Sequence, residues 1–421
     1  MRIEEFSHES RGGLVGIRAR VVWEDSNRDP FELRFPANAP LDVLAASGGN
    51  PFLVACAFSA RHRGERRIRV EEALCPVLRD GVRAASRLLA AWYGGASDST
   101  IEAAKGFRTF PARAPRAGMF LSGGVDSLHV LMQNRRIYPR DHPASFRTAV
   151  FVPYASFPDP SPDERARQVV FRQQRAVESL ASRAELELAI VDTNSAAVEP
   201  DFDFMVAQSH GASLIAAAHA LTARLGTVAL ATSFEIPRAL LPYGSHPLLD
   251  PLYGSSCLDV FHEGIGLSRL DKIRQLAEWD LARDLLMVCF EGPLPSGQLN
   301  CGECEKCLRT MAGLLVAGRL DHFPVFGRAR LDAEAILSMP MGYHLHAFRH
   351  YWGPIAASLR EQGRRGLATA IDRRVREASR LQAWIEQRDW KGTLRRFDRR
   401  VLGGAGTSRL RAMRASRGQR K

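Results

Sequence analysis

The sequence holds 421 residues, 45% of them hydrophobic, with a formal net charge of +12. At about 150 residues per domain this length implies more than one domain, and the apolar share suits a sizeable core. No apolar run reaches 18 residues and the start, Met1-Arg2-Ile3-Glu4-Glu5, is acidic early, so neither a membrane span nor a secretory leader is expected, and a cytoplasmic location is.

Residues 1–64 alternate strand-like runs, Val15–Trp23 and Phe31–Phe35, with polar turns such as Asp25-Ser26-Asn27, and predict a small β-rich lobe. Arg69–Tyr93 is apolar at helical spacing and stops at Gly94-Gly95; residues 96–116 read as a connection. From residue 116 strands alternate with helices. Strands are expected at 118–121, Thr148–Val152, Leu186–Val191, Thr227–Thr232, Leu258–His262 and Leu285–Cys289. The intervening helices run to Asn134 and over Glu164–Ala184, His210–Leu225 and Ser268–Trp279. This alternation predicts an α/β fold built on a doubly wound, mostly parallel sheet, with ligands at the carboxyl ends of its strands.

Residues 341–421 read as helical and arginine-rich, with Gly403–Gly406 as a break before a disordered basic end. They carry 20 Lys+Arg against 6 Asp+Glu, a net +14, so the overall +12 leaves −2 for the other 340 residues. The expected domains are therefore 1–115, 116–325, 326–401 and a tail over 402–421. There is no internal repeat.

Ser122-Gly123-Gly124-Val125-Asp126-Ser127 follows the apolar Met119-Phe120-Leu121 and opens an apolar-periodic segment, which places it as a strand–turn–helix element. Two glycines let the backbone approach a polyanion, and the helix start presents unpaired N–H groups to it. Ser122 and Ser127 add hydroxyl donors, and the Asp126 carboxylate suits a divalent cation that holds phosphates. No G-x-x-x-x-G-K-[ST] loop occurs in the chain. The element resembles the SGGxDS loop of the PP-loop ATP pyrophosphatases.

Cys301, Cys304 and Cys307 form C-x2-C-x2-C, and an eleven-residue loop returns to Cys289 as a natural fourth ligand. An odd total of seven cysteines with this clustering points to a metal site, not a disulfide framework. Four thiolates make a closed structural Zn²⁺ site or, on the same ligands, a four-iron cluster. Cys56, Cys75 and Cys257 stand singly and read as ordinary buried thiols.

Other candidates follow the strands. Gly244–Pro251 holds His246 and Asp250, read either as a substrate loop facing the cleft or as an Asp-Pro-stiffened surface loop. Ser268 caps a helix whose Arg269 and Lys272 share one face, suited to grip pyrophosphate or to face solvent. Asp192-Thr193-Asn194 could line an adenosine site, and Ser233 and Glu235 follow the fourth strand. Trp384, Trp390 and Phe397 interleave with arginines, a composition that suits RNA binding, but their spacing favours a helix packed on the body.

The PP-loop resemblance implies an adenine nucleotide alpha hydrolase-like fold. It also implies an ATP-dependent, AMP-forming ligase that adenylates a carbonyl or carboxylate oxygen for amide or C–N bond formation. Ser122, Gly123, Gly124, Val125 and Ser127 would then hold ATP, Asp126 would hold Mg²⁺, and Lys272 and Arg269 would assist as cations. With its cysteine knuckle the layout is similar to the 7-cyano-7-deazaguanine synthase family, although the gap between the first two cysteines is longer here, and to asparagine-synthetase-like domains. Amidotransferase members begin with a nucleophilic cysteine, whereas this chain begins Met1-Arg2. Nitrogen would come from ammonia, a separate amidase or an amine, and a sulfur donor would make the protein a thiolating enzyme. The alternative expectation is an RNA-modifying enzyme whose basic tail binds nucleic acid; a homodimer is also expected among the partners.

Overall fold

The computed structural model describes residues 1–38, 47–95, 99–110, 116–153, 163–295, 297–327, 330–341 and 345–388. They form two compact units, Met1–Cys301 with Arg319–Arg328, and Gly302–Gly318 with the described part of Ala329–Lys421. Residues 1–115 and most of 116–325 thus share the first unit.

That unit contains two five-stranded sheets. The first is built from β1 (Arg2–Arg11), β2 (Leu14–Val22), β3 (Phe31–Ala37), β4 (Arg67–Val70) and β5 (Thr100–Ala103), in the order β3-β2-β1-β4-β5. β1 pairs antiparallel with β2, and β2 with β3, whereas β1 and β5 both run parallel to β4. Two helices belong to the same part of the chain, α1 (Asn50–Arg63) and α2 (Pro76–Tyr93). The expected lobe is therefore mixed α/β. Helix α1 is missed by a period search because every residue from Asn50 to Arg61 is buried, so no polar face marks it. It ends at Gly64, whose φ of 78° lets its N–H reach back to the Ala60 and Arg61 carbonyls. Likewise, the segment read as the start of a helix at Arg69 is the end of β4, and the helix begins at Pro76.

The second sheet carries β6 (Ala117–Phe120), β7 (Phe146–Phe151), β8 (Glu187–Ile190), β9 (Thr227–Ala231) and β10 (Asp259–Glu263). Its order is β10-β9-β6-β7-β8, and every neighbouring pair is parallel. All four residues of β6 are buried, as a central parallel strand requires. A Cβ at Gly118 would lie 2.8 Å from the Leu225 side chain and 3.0 Å from the Thr148 carbonyl, so a larger residue there would push its neighbours aside. Helices α3 (Val125–Ile137) and α4 (Glu164–Arg183) follow β6 and β7. Helix α5 (His210–His219) is preceded by a π-helical turn over Met205–Ser209 and ends six residues before Leu225. Helix α6 (Arg269–Leu276) starts at the Ser268 cap, whose hydroxyl accepts the Asp271 N–H. One core joins both sheets, running from Ile3, Leu33 and Phe52 to Val150, Val228 and Leu230.

The expected strand at Leu285–Cys289 is absent. Helix α7 (Asp280–Leu285) occupies its start, and Leu286–Phe290 is a strap outside both sheets whose amides bond elsewhere. A five-residue apolar run does not by itself separate a strand from a buried strap.

The second unit is helical: α8 (Glu305–Val316), α9 (Ala333–Ser338), α10 (Leu345–Glu361) and α11 (Arg365–Arg388). Trp352 is fully buried there and its indole N–H donates to Glu305 at 2.9 Å. Trp384, expected to pack or to bind RNA, is 49% exposed on α11. Trp390, Phe397, Gly403–Gly406 and the tail 402–421 lie outside the described residues. Among the described residues no helix is long and apolar enough to cross a membrane.

Candidate functional site

The turn after β6 closes on itself through its serines. Gly123 has φ of 77°, a left-handed conformation that glycine adopts without strain, and Gly124 caps α3 with extended backbone. The Ser122 and Ser127 hydroxyls are 3.1 Å apart, the Ser122 N–H donates to Ser127 Oγ at 3.3 Å, and Gly124 N–H donates to Ser122 Oγ at 3.4 Å. Ser122 is exposed, whereas the Val125 side chain is buried in the core and only its backbone belongs to the turn. Two supports come from outside. Gln173 on α4 donates to the Ser122 carbonyl at 3.1 Å, and Met287 N–H donates to the Gly123 carbonyl at 3.0 Å.

One residue into α3, Asp126 meets both cations that the sequence placed on α6. Arg269 Nη2 donates to Asp126 Oδ2 at 2.5 Å and Lys272 Nζ donates to Oδ1 at 3.1 Å. Lys272 also donates to the Thr232 carbonyl at 2.9 Å, just past the end of β9. Its side chain is 1% exposed against 16% for Asp126, so its ammonium is neutralised by this carboxylate and not by water. The Thr232 contact places the start of the segment holding Ser233 and Glu235 at the cluster. One turn further along α3, buried His129 meets Gln275 of α6 at 3.1 Å, and burial pushes its imidazole below the usual histidine range. A carboxylate bracketed by two cations beside a glycine turn is suited to hold a polyanion with its metal ion.

The other candidates are placed differently. His246 and Asp250 are 0% exposed, so neither faces an open cleft. Asp250 Oδ2 accepts from Ser245 Oγ and from His262 Nδ1, each at 2.7 Å, and the His246 ring lies 4.7 Å from that of Trp92. The buried Asp250 carboxylate is thus held by Ser245 within the loop and by His262 of β10 outside it. Asn194, proposed for adenosine, bonds instead to the backbone of β3: it accepts from Arg34 N–H at 3.0 Å and donates to the Glu32 carbonyl at 2.8 Å. Asp192 N–H donates to Pro36.

Cys289, Cys301, Cys304 and Cys307 bring all four Sγ atoms within 4.8 Å of one another. A tetrahedral Zn²⁺ with ~2.3 Å Zn–S bonds needs sulfur separations of about 3.8 Å, so this donor set fits such an ion. Cys289 and Cys307 are fully buried. Cys56, Cys75 and Cys257 are buried and free, as expected.

Three participants were not singled out from the sequence: Met287, Gln173 and Asn300. Asn300 is fully buried directly before Cys301, and an amide flanking a knuckle was the available signal. Compared with protein-family models, with curated proteins and with solved structures, the chain matches none.

Proposed function

We propose that this protein is a PP-loop-type, AMP-forming ligase. The observation that carries this reading is the convergence of Asp126, Arg269 and Lys272 beside the Ser122–Ser127 turn. The sheet order supports it as well. Numbered along the chain, β10-β9-β6-β7-β8 is the order of a doubly wound sheet, and β6 and β9 flank its switch point, where ligands bind in such sheets.

In this reading the turn's N–H groups and serine hydroxyls hold the β and γ phosphates of ATP. Asp126 would hold Mg²⁺ in place of its two cationic partners, and Arg269 and Lys272 would then be available to the phosphates. A substrate carboxylate or carbonyl oxygen attacks the α phosphorus, the α–β bridging P–O bond breaks, and pyrophosphate leaves with its charge neutralised by the two side chains. An amine or ammonia then attacks the activated carbon, the C–O bond to AMP breaks, and the nitrogen loses its proton to solvent. The protein's contribution is positioning and charge neutralisation. The cysteine cluster supplies a structural metal in this scheme.

The test is product analysis with Mg·ATP, ammonia and a panel of carboxylates. AMP and pyrophosphate in equal amounts are expected; ADP and phosphate would sink the reading.

A further inference from the structure

The strap after α7 touches the glycine turn and carries a cysteine of the cluster. Met287 N–H caps the Gly123 carbonyl at 3.0 Å, and a Cβ on Gly124 would sit 3.8 Å from the Met287 carbonyl. Two residues on is Cys289. Neighbouring residues of α4 tie the same two places, Gln173 to the Ser122 carbonyl at 3.1 Å and Arg172 to the Cys289 carbonyl at 3.2 Å.

Leu286–Phe290 belongs to neither sheet, so its shape must be set by bonds other than a strand ladder. Asn300 does so. Its Oδ1 accepts from Val288 N–H at 2.8 Å and Cys289 N–H at 3.2 Å, and its Nδ2 donates to the Leu286 carbonyl at 2.8 Å and the Val325 carbonyl at 3.2 Å. All four hydrogen-bonding positions of a fully buried amide are used. No other side chain of this size offers two acceptor and two donor positions in that arrangement.

We propose that Asn300 is a positioning residue for the glycine turn, and that through the strap it makes the shape of that turn depend on the metal held by Cys289, Cys301, Cys304 and Cys307. The inference rests on the reading of Ser122–Ser127 as a phosphate loop. Metal bound at Cys289 fixes one end of the strap, and Asn300 fixes its middle. With either removed, the Met287 amide leaves Gly123. The turn, held at a positive φ that glycine can abandon freely, then populates shapes that do not hold phosphates.

The experiment uses the full chain with zinc supplied, as wild type, Asn300→Ala and Asn300→Asp, with and without 1,10-phenanthroline. Three quantities are read: zinc per chain, Mg·ATP affinity by calorimetry, and amide hydrogen exchange over 121–125 and 286–290. Chelation of the wild type is expected to weaken Mg·ATP binding about tenfold, the scale of one lost hydrogen-bonded constraint, and to deprotect both segments while β6 stays protected. Asn300→Ala with zinc bound is expected to show a loss of the same size, to which chelation adds nothing. Losses that multiply, or unchanged affinity after chelation, overturn the proposal. If Asn300→Ala does not fold, Asn300→Asp carries the comparison, since it keeps the acceptor and loses both donors. A wild type that never binds Mg·ATP overturns the nucleotide reading instead, and exchange with and without zinc then decides the coupling: unchanged protection refutes it.

Discussion

Replacing Asp126 with Asn removes the carboxylate that pairs with the Lys272 ammonium among the described residues and leaves that ammonium, 1% exposed, on the Thr232 carbonyl. Breaking a buried ion pair from one side costs about 3–5 kcal/mol, because a charge is stranded. Asp126 is 16% exposed and the Thr232 carbonyl stays, so about 2–3 kcal/mol is expected here. Lys272→Met strands nothing comparable, since Asp126 keeps Arg269 at 2.5 Å and part of its water; about 1 kcal/mol or less is expected. The double variant should therefore be close to Lys272→Met alone, a coupling of about 2 kcal/mol in a double-mutant cycle. Urea unfolding followed by circular dichroism measures all four proteins. Additivity within about 0.5 kcal/mol would refute the argument, because it would mean that the ammonium has another home. Under the proposed function all three variants also lose pyrophosphate release.

Acid sensitivity should have a histidine component. Burial pushes the His219 imidazole down to about 4 from 6.5, and its Nε2 donates to the Tyr253 carbonyl at 2.8 Å. Below pH 6.5 the unfolded chain takes up a proton that the folded one refuses, so this contribution is complete above 6.5 and is lost as pH falls towards 4, by up to about 3 kcal/mol. His219→Gln, which can donate but cannot titrate in this range, should flatten that part of the urea midpoint's pH profile; an unchanged slope refutes it. Elemental analysis should find about one zinc per chain, lost in Cys304→Ser with a lower melting temperature; iron with a brown chromophore would point to thiolation instead. Ending the chain after Leu402 should leave ATP cleavage on small substrates unchanged, and if the substrate is RNA it should weaken binding and flatten its salt dependence; loss of small-substrate activity would place those residues in the active site.

What the sequence revealed depended on how far apart the partners lie. The cysteine cluster was legible because three of its ligands fall within seven residues, and the parallel sheet because runs such as Thr227–Thr232 are apolar on both faces. The glycine turn was legible for the same reason: its serines bond to each other across five positions. Arg269 and Lys272 were recognisable as cations near a helix start, but nothing local says that they meet a carboxylate 143 and 146 positions earlier.

Burial was misread where polar groups satisfy one another at long range. Asp250 reads in the sequence as facing either a substrate cleft or the surface beside its prolines, yet it is buried, and His262, twelve positions on, and Ser245 supply its hydrogen bonds. A composition reading counts such residues as exposed because it cannot see the partner that makes burial affordable. Leu285–Cys289 shows the converse. Its apolar side chains resemble those of a strand, and only its backbone amides tell it apart: Met287 donates to Gly123, and Val288 and Cys289 to Asn300. Backbone donors carry no side-chain signature, so the partner of a buried strap is the part of a fold that composition encodes least. Here that partner is the glycine turn, and this is why the link between the cysteine cluster and the candidate site became visible in three dimensions alone.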